Sequence, residues 1–350
     1  MRSCFFVFLV TAWLLDGCTP ADPDTDWSVY LGDAGRTHYS TLEQINRRNV
    51  ASLELAWIYD SGDLRRGTST MYTSPLVVNG VLFDLSPTLV AFALNAATGE
   101  ELWRYDQSVS DETQRGLMWW RSGDQSRLFY TAGSTLIALD PQTGLGIEEI
   151  GDQGRLDLSA YGAATNATAI NVAVPGVIFD DLIILGLDAV ESQAPQRASI
   201  VAISANDGDL VWQFDTIAQA GEPGAETWAD GALANAGGAN AAAGMTLDIA
   251  RELLFIPTGS ATPEFLGAQR QGANLYANTL LALNARTGNL RWHQQILDTT
   301  SGAGTCLHHL LWYNSNVTAK SSMPLPWQRN LATCISSNAT LVSPSTTRMT

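Results

Sequence analysis

One pattern, written four times, constrains this chain more than any other feature. Ala93-Leu94-Asn95 runs to Thr98-Gly99 and Trp103, and Ala138-Leu139-Asp140 runs to Thr143-Gly144. Ala202-Ile203-Ser204 runs to Asp207-Gly208 and Trp212, and Ala282-Leu283-Asn284 runs to Thr287-Gly288 and Trp292. An Asx or Ser sits four residues before each Gly; in three copies a Trp sits four residues after it, and in the second copy Glu148 takes that place. The apolar alternation before the turn reads as an incoming β-strand. Asn, Asp or Ser bonds the turn backbone, and Gly supplies a positive φ. The Trp then falls on the outgoing strand. One such small sheet cannot bury both of its faces, whereas copies stacked radially can, so the pattern predicts an all-β chain folded as a β-propeller. The glycines lie 45, 64 and 80 residues apart, so loops vary while the hairpin persists.

Composition narrows the function classes. Of 350 residues, 45% are hydrophobic and 15% charged, too apolar for a disordered chain. The net charge of −16 excludes a nucleic-acid-binding surface, which needs a basic footprint. Four cysteines without a CxxC pair do not make a disulfide framework.

The two ends differ from the middle. Arg2, the apolar run Phe5 to Leu15 and Leu15-Asp16-Gly17-Cys18 read as a secretory signal with a lipobox-like end over residues 1–18. Its core is too short to span a bilayer. The expectation is a periplasmic protein, anchored through a lipidated Cys18, with Asp16 unusual for such a box. Beyond Asp298 there is no acid, and the stretch carries Lys320, Arg329 and Arg348. Residues 1–298 hold 16 arginines, no lysine and all 35 acids, a net of −19. This break predicts a partial propeller over 19–298 and an atypical tail over 299–350, disordered or out of frame, as a frameshift or truncation leaves.

The repeat resembles the tryptophan-docking motif of the pyrroloquinoline quinone (PQQ) dehydrogenases, which are eight-bladed propellers. Longer segments agree: Asp26-Trp27 with Tyr30, Gly32-Asp33, Tyr39-Ser40, Gln44-Ile45-Asn46 and Ala56-Trp57; Ser74-Pro75-Leu76; Arg115-Gly116 before Trp119; Thr227-Trp228; Gly237-Gly238-Ala239-Asn240; and Pro257-Thr258-Gly259 with Asn278. The likeness covers about residues 26–296 and resembles the glucose-dehydrogenase-like branch; the alcohol branch has adjacent cysteines before the Arg-Gly, where Thr113-Gln114 stand here. About four blades are present, which implies the N-terminal half of a longer ancestor.

The resemblance implies a quinone cofactor, a Ca or Mg ion at its carbonyl, a sugar or alcohol substrate and a respiratory electron acceptor. Residue by residue, Arg115 matches the family's cofactor-binding Arg, Thr258 a cofactor-contacting Thr, and Glu191 in Gly186-Leu187-Asp188-Ala189-Val190-Glu191 a metal ligand. A guanidinium suits a carboxylate, and a carboxylate suits a hard cation. A surface Arg, a strand-end hydroxyl and a solvated loop acid are the bland alternatives. Departures stand beside the matches. The aromatic floor under the quinone falls on Ala242, a family His on Thr88, and the catalytic base on Leu310 within His308-His309-Leu310-Leu311-Trp312. No catalytic residue is therefore assigned. The main expectation is a PQQ-dependent dehydrogenase, truncated and inactive as given; the alternative is a non-catalytic periplasmic propeller lipoprotein that scaffolds other proteins through its blade edges.

Overall fold

The computed structural model describes residues 26–65, 70–107, 112–161, 170–189, 197–263 and 267–297. The leader with Cys18, the tail with Leu310, and Glu191 lie outside the described residues.

Four antiparallel sheets follow one another along the chain. Blade A is β1 (Leu76–Val78), β2 (Val81–Leu85), β3 (Ala91–Asn95) and β4 (Glu101–Tyr105), in that spatial order. Blade B is β5 (Met118–Ser122), β6 (Gln125–Ala132), β7 (Thr135–Leu139) and β8 (Arg155–Asp157). In blade C, short β9 (Ile170–Asn171) pairs the end of β11 (Leu182–Ala189), beside β10 (Val177–Phe179), β12 (Ser199–Ser204) and β13 (Leu210–Asp215). β14 (Gly237–Gly238) and β17 (Ala261–Thr262) form a separate two-stranded pair. Blade D is β15 (Thr246–Asp248), β16 (Leu253–Pro257), β18 (Thr279–Asn284) and β19 (Leu290–Gln295). The blades stack face to face, and the core is three apolar layers between them. Leu76, Phe83 and Leu128 lie between A and B; Phe129, Ile183 and Val201 between B and C; and Ile184, Leu254 and Leu281 between C and D.

First strands line the axis, because their leading ends meet. Ser74 bridges Gly116 in parallel, and Arg115 N donates to Ala173 O at 3.0 Å. Residues 27–38 cross this axis as a strap. Trp27 pairs with Val77 on β1, and Leu247 N of β15 donates to Ala34 O at 2.9 Å.

Each repeat is a hairpin locked by its neighbour. Asn95 Oδ1 accepts from Ala97 N and Thr98 N, Asp140 Oδ1 from Gln142 N and Thr143 N, and Asn284 Oδ1 from Thr287 N, as the sequence predicts. The indole of one blade then lies on the glycine of the next. A Cβ at Gly144 would stand 2.6 Å from the Trp103 ring, and one at Gly288 2.6 Å from the Trp212 ring. Only glycine admits this approach, and both turns hold it at positive φ, 70° and 71°. Each indole Nε1 donates to the carbonyl three residues before the glycine, Trp103 to Pro141 O at 2.9 Å and Trp212 to Ala285 O at 3.1 Å. Trp57, outside the four repeats, makes the same contact with blade A: its ring meets Gly99, and its Nε1 donates to Ala96 O at 3.2 Å.

The second repeat departs from the simple hairpin. Ala93, Ala202 and Ala282 each pair with a Trp. Opposite Ala138 the outgoing chain instead leaves the sheet after Ile147, with Ile147 N donating to Ala138 O and Ala138 N to Gly154 O, and β8 resumes at Arg155. Glu148 sits exposed on that excursion, not on the outgoing strand. Ile150 and Leu156 cover Gly208 in place of an indole. Arg127 Nη1 of β6 supplies the missing donor, reaching Ala205 O at 2.6 Å, again three residues before the glycine, and Asn206 O at 2.7 Å.

Candidate functional site

First strands begin, and second strands end, on one face of the blade stack. That leading face collects the sequence-predicted residues, because Arg115 precedes β5, Thr258 follows β16 and Thr88 follows β2. The opposite face carries a groove lined by Arg121, Asp180, Asp181 and Arg286, where Arg286 is already paired with Asp180 at 2.7 Å.

Arg115 is fixed by its backbone and free at its head. Its N donates to Ala173 O, its O accepts from Ser74 N at 3.0 Å, and the neighbouring Gln114 Nε2 donates to Thr131 O at 3.1 Å and Val172 O at 3.0 Å. Those bonds tie blades A, B and C at one point. The Arg115 side chain is exposed and has no ion-pair or hydrogen-bond partner among the described residues. Such an uncommitted guanidinium on a rigid backbone suits a carboxylate.

Thr258 is differently placed. Its buried Oγ1 donates towards Tyr276 O at 2.6 Å and Thr279 O at 3.1 Å and accepts from Thr279 N at 3.0 Å, so the framework uses its hydroxyl fully. Thr88 is buried, and its hydroxyl bonds Asp63. Burial alone would raise the Asp63 carboxyl, but donation from Ser61, Ser86 and Thr88 outweighs it and holds the pKa below the usual carboxylate value. Ala242 is exposed on this face and offers no ring on which a planar molecule could stack.

Two further groups escaped sequence reasoning. Asp188, near the end of β11, accepts from Ala241 N at 2.9 Å, and burial pushes its carboxyl up to about 7. Its ladder partner on β9 is Asn171, whose buried Oδ1 has no hydrogen-bond partner. Arg36, on the strap, is only 5% exposed; its Nη2 donates to Pro175 O at 2.6 Å, and its Cζ lies 5.1 Å from the centroid of the Tyr30 ring. An acid in a strand tail and an arginine between Gly35 and Thr37 carry no sequence signal of burial; both are enclosed only because segments distant in the chain converge. Among the described residues no group of three or more His, Cys, Asp or Glu is arranged to hold a metal.

The model of the PQQ family, glucose/ethanol/alcohol dehydrogenase β-propeller domain, matches residues 27–300. The quinoprotein glucose dehydrogenase A of Acinetobacter calcoaceticus is 27% identical, over 89% of this chain and 40% of its own length. The quinohemoprotein alcohol dehydrogenase ADH IIB of Pseudomonas putida is 30% identical, over 82% of this chain and 42% of its own. The solved quinohemoprotein alcohol dehydrogenase of Comamonas testosteroni superposes with a TM-score of 0.66 at 25% identity, covering 80% of this chain and 42% of that one. The chain thus spans about two fifths of the length of the curated relatives it matches. These findings favour the dehydrogenase expectation over the scaffold. Stacked Trp-docked blades, the bare Arg115 on their leading face and the match over residues 27–300 together show that this chain belongs to the PQQ dehydrogenase family, as part of its β-propeller domain.

Proposed function

We propose that this chain forms one half of the cofactor site of a PQQ-dependent dehydrogenase that oxidises a sugar or an alcohol. The observation that carries the reading is Arg115: its backbone is held by two inter-blade hydrogen bonds, and its guanidinium has no partner among the described residues. PQQ, when bound, supplies the hydride acceptor for the substrate carbon. Arg115 binds a carboxylate of that cofactor. Thr258, whose hydroxyl is committed to the framework, shapes the wall beside it. Glu191 is the residue proposed to hold a Ca or Mg ion, a hard cation that a carboxylate suits. The position matching the family's base is Leu310, which cannot accept a proton. With Ala242 at the floor, the quinone is held by charge and not by stacking. The leader places the protein in the periplasm, tethered through Cys18, with electrons passing to a respiratory acceptor.

An absorbance titration of the 350-residue chain with PQQ and Ca²⁺, followed by dye reduction with glucose or ethanol, tests this. The expected result is weak PQQ binding that Arg115→Ala removes, and no turnover. Binding unchanged in Arg115→Ala would overturn the reading, and robust dye reduction would overturn the assignment of an inactive half-site.

A further inference from the structure

Arg36 is the anomaly on the leading face. A guanidinium removed from water is costly unless an anion or a set of acceptors compensates it. Arg36 is enclosed by Pro175, which takes one Nη2 bond, and by Gly244, where a Cβ would stand 2.0 Å from Nη1. Gly244 thus makes the room that Arg36 occupies. No carboxylate among the described residues pairs with it, and burial lowers its pKa to about 10.

What faces it is Tyr30. The ring lies under the Arg36 guanidinium, and its edge packs on Gly116, beside Arg115. Two arginines therefore flank one phenol, which burial raises above its usual pKa while both guanidinium charges pull it down. The phenol oxygen has no hydrogen-bond partner among the described residues. Two guanidinium groups and one hydroxyl, both charges acting on the same phenol, converge at the leading ends of blades B, C and D.

We propose that Arg36, Tyr30 and Arg115 form an anion pocket that takes a carboxylate of a planar polycarboxylate, with Arg36 as the buried anchor. Resting on the reading above, the ligand is the carboxylate rim of PQQ, and Arg36 is a cofactor-binding residue beyond those the sequence assigned. The enclosed site compensates in charge for the ring that Ala242 lacks. Low local dielectric strengthens the pairing of a buried guanidinium with an entering anion relative to the same pair in water.

Thermal melting of the full 350-residue chain with citrate, with PQQ and with sodium chloride at matched ionic strength tests the pocket. Citrate is expected to raise the melting temperature with its concentration while chloride does not, because a ligand that binds only the folded state stabilises it. Arg36→Met is expected to weaken citrate binding by about tenfold or more, and Arg36→Lys to retain part of it, since a point charge replaces a fork. No citrate-specific stabilisation of the wild type overturns the proposal, as does a citrate dependence unchanged in Arg36→Met. Should Arg36→Met fail to fold, Arg36→Lys and Arg115→Ala decide: wild-type citrate affinity in both overturns it. Citrate binding that depends on Arg36, without PQQ binding, sustains the pocket and refutes the quinone reading. PQQ binding that ignores Arg36 sustains that reading and refutes the pocket.

Discussion

Substitution of Gly288 by Ala isolates what the docked tryptophans contribute. Gly288 and Gly80 both hold a positive φ, 71° and 76°, in hairpin turns. A Cβ at Gly80 meets nothing within 4 Å, whereas at Gly288 it stands 2.6 Å from Trp212 Cε3. Left-handed strain costs each alanine about 1 kcal/mol. At Gly288 the indole must also move. That breaks the Nε1 bond to Ala285 O, about 1 kcal/mol, and loosens a tryptophan only 8% exposed, about 1–2 kcal/mol more. Gly288→Ala is therefore expected to cost about 3–4 kcal/mol against about 1 for Gly80→Ala. At roughly 2–4 °C per kcal/mol for a domain of this size, the melting temperature falls by about 6–15 °C and 2–4 °C respectively. In a Trp212→Ala background the Gly288→Ala penalty is expected to shrink to the strain alone, a coupling of about 2 kcal/mol. Urea denaturation of wild type, both single variants and the double variant measures that coupling. A value near zero refutes the argument that indole contact, and not turn geometry, joins the blades.

Other outcomes follow from the same structure. Arg127→Met is expected to cost about 2–3 kcal/mol in denaturant unfolding, because Ala205 O and Asn206 O lose their donor at the interface without a docked indole. Arg115→Ala, by contrast, is expected to leave stability within about 0.5 kcal/mol of wild type, since the exposed side chain has no partner, and to change only ligand binding. Asp188 titrates near 7 in the fold and near 3.8 when unfolded, so the folded state holds an extra proton between those values and stability falls as pH rises through them. Asp188→Asn is expected to flatten that decline, melting close to wild type near pH 4 and above it at pH 8; parallel profiles would rule out burial as the cause. Thr258→Val, which removes the hydroxyl bonding Tyr276 O, Thr279 O and Thr279 N, is expected to cost about 1–3 kcal/mol in a thermal melt.

Much of the fold was legible in the chain itself, because hairpins are local. Asx or Ser, Gly and Trp within nine residues specify a turn, its cap and an outgoing strand, and blades A, C and D follow that order. The same local logic misplaced Glu148, since an excursion that begins after Ile147 and returns at Gly154 has no signature in spacing. Trp57 went uncounted for a related reason. It docks on Gly99 as the repeat tryptophans dock on their glycines, yet no turn of its own precedes it.

Short-range chemistry, then, determined strands, turns and the radial stacking that they demand, whereas Arg115 entered only through the family resemblance of the Arg115-Gly116 segment. Tertiary structure decided which charges lose water. Arg36 and Asp188 are ordinary polar residues in sequence, and they become a buried cation with no carboxylate partner among the described residues and a carboxyl of raised pKa only where the strap, Pro175, Gly244 and Ala241 meet them. It also decided that Thr258 serves the framework while Arg115 stays free, because hydrogen-bond partners 18 and 21 residues away are set by blade register. Desolvation and partner choice are sums over neighbours in space, and no local pattern of residues encodes them.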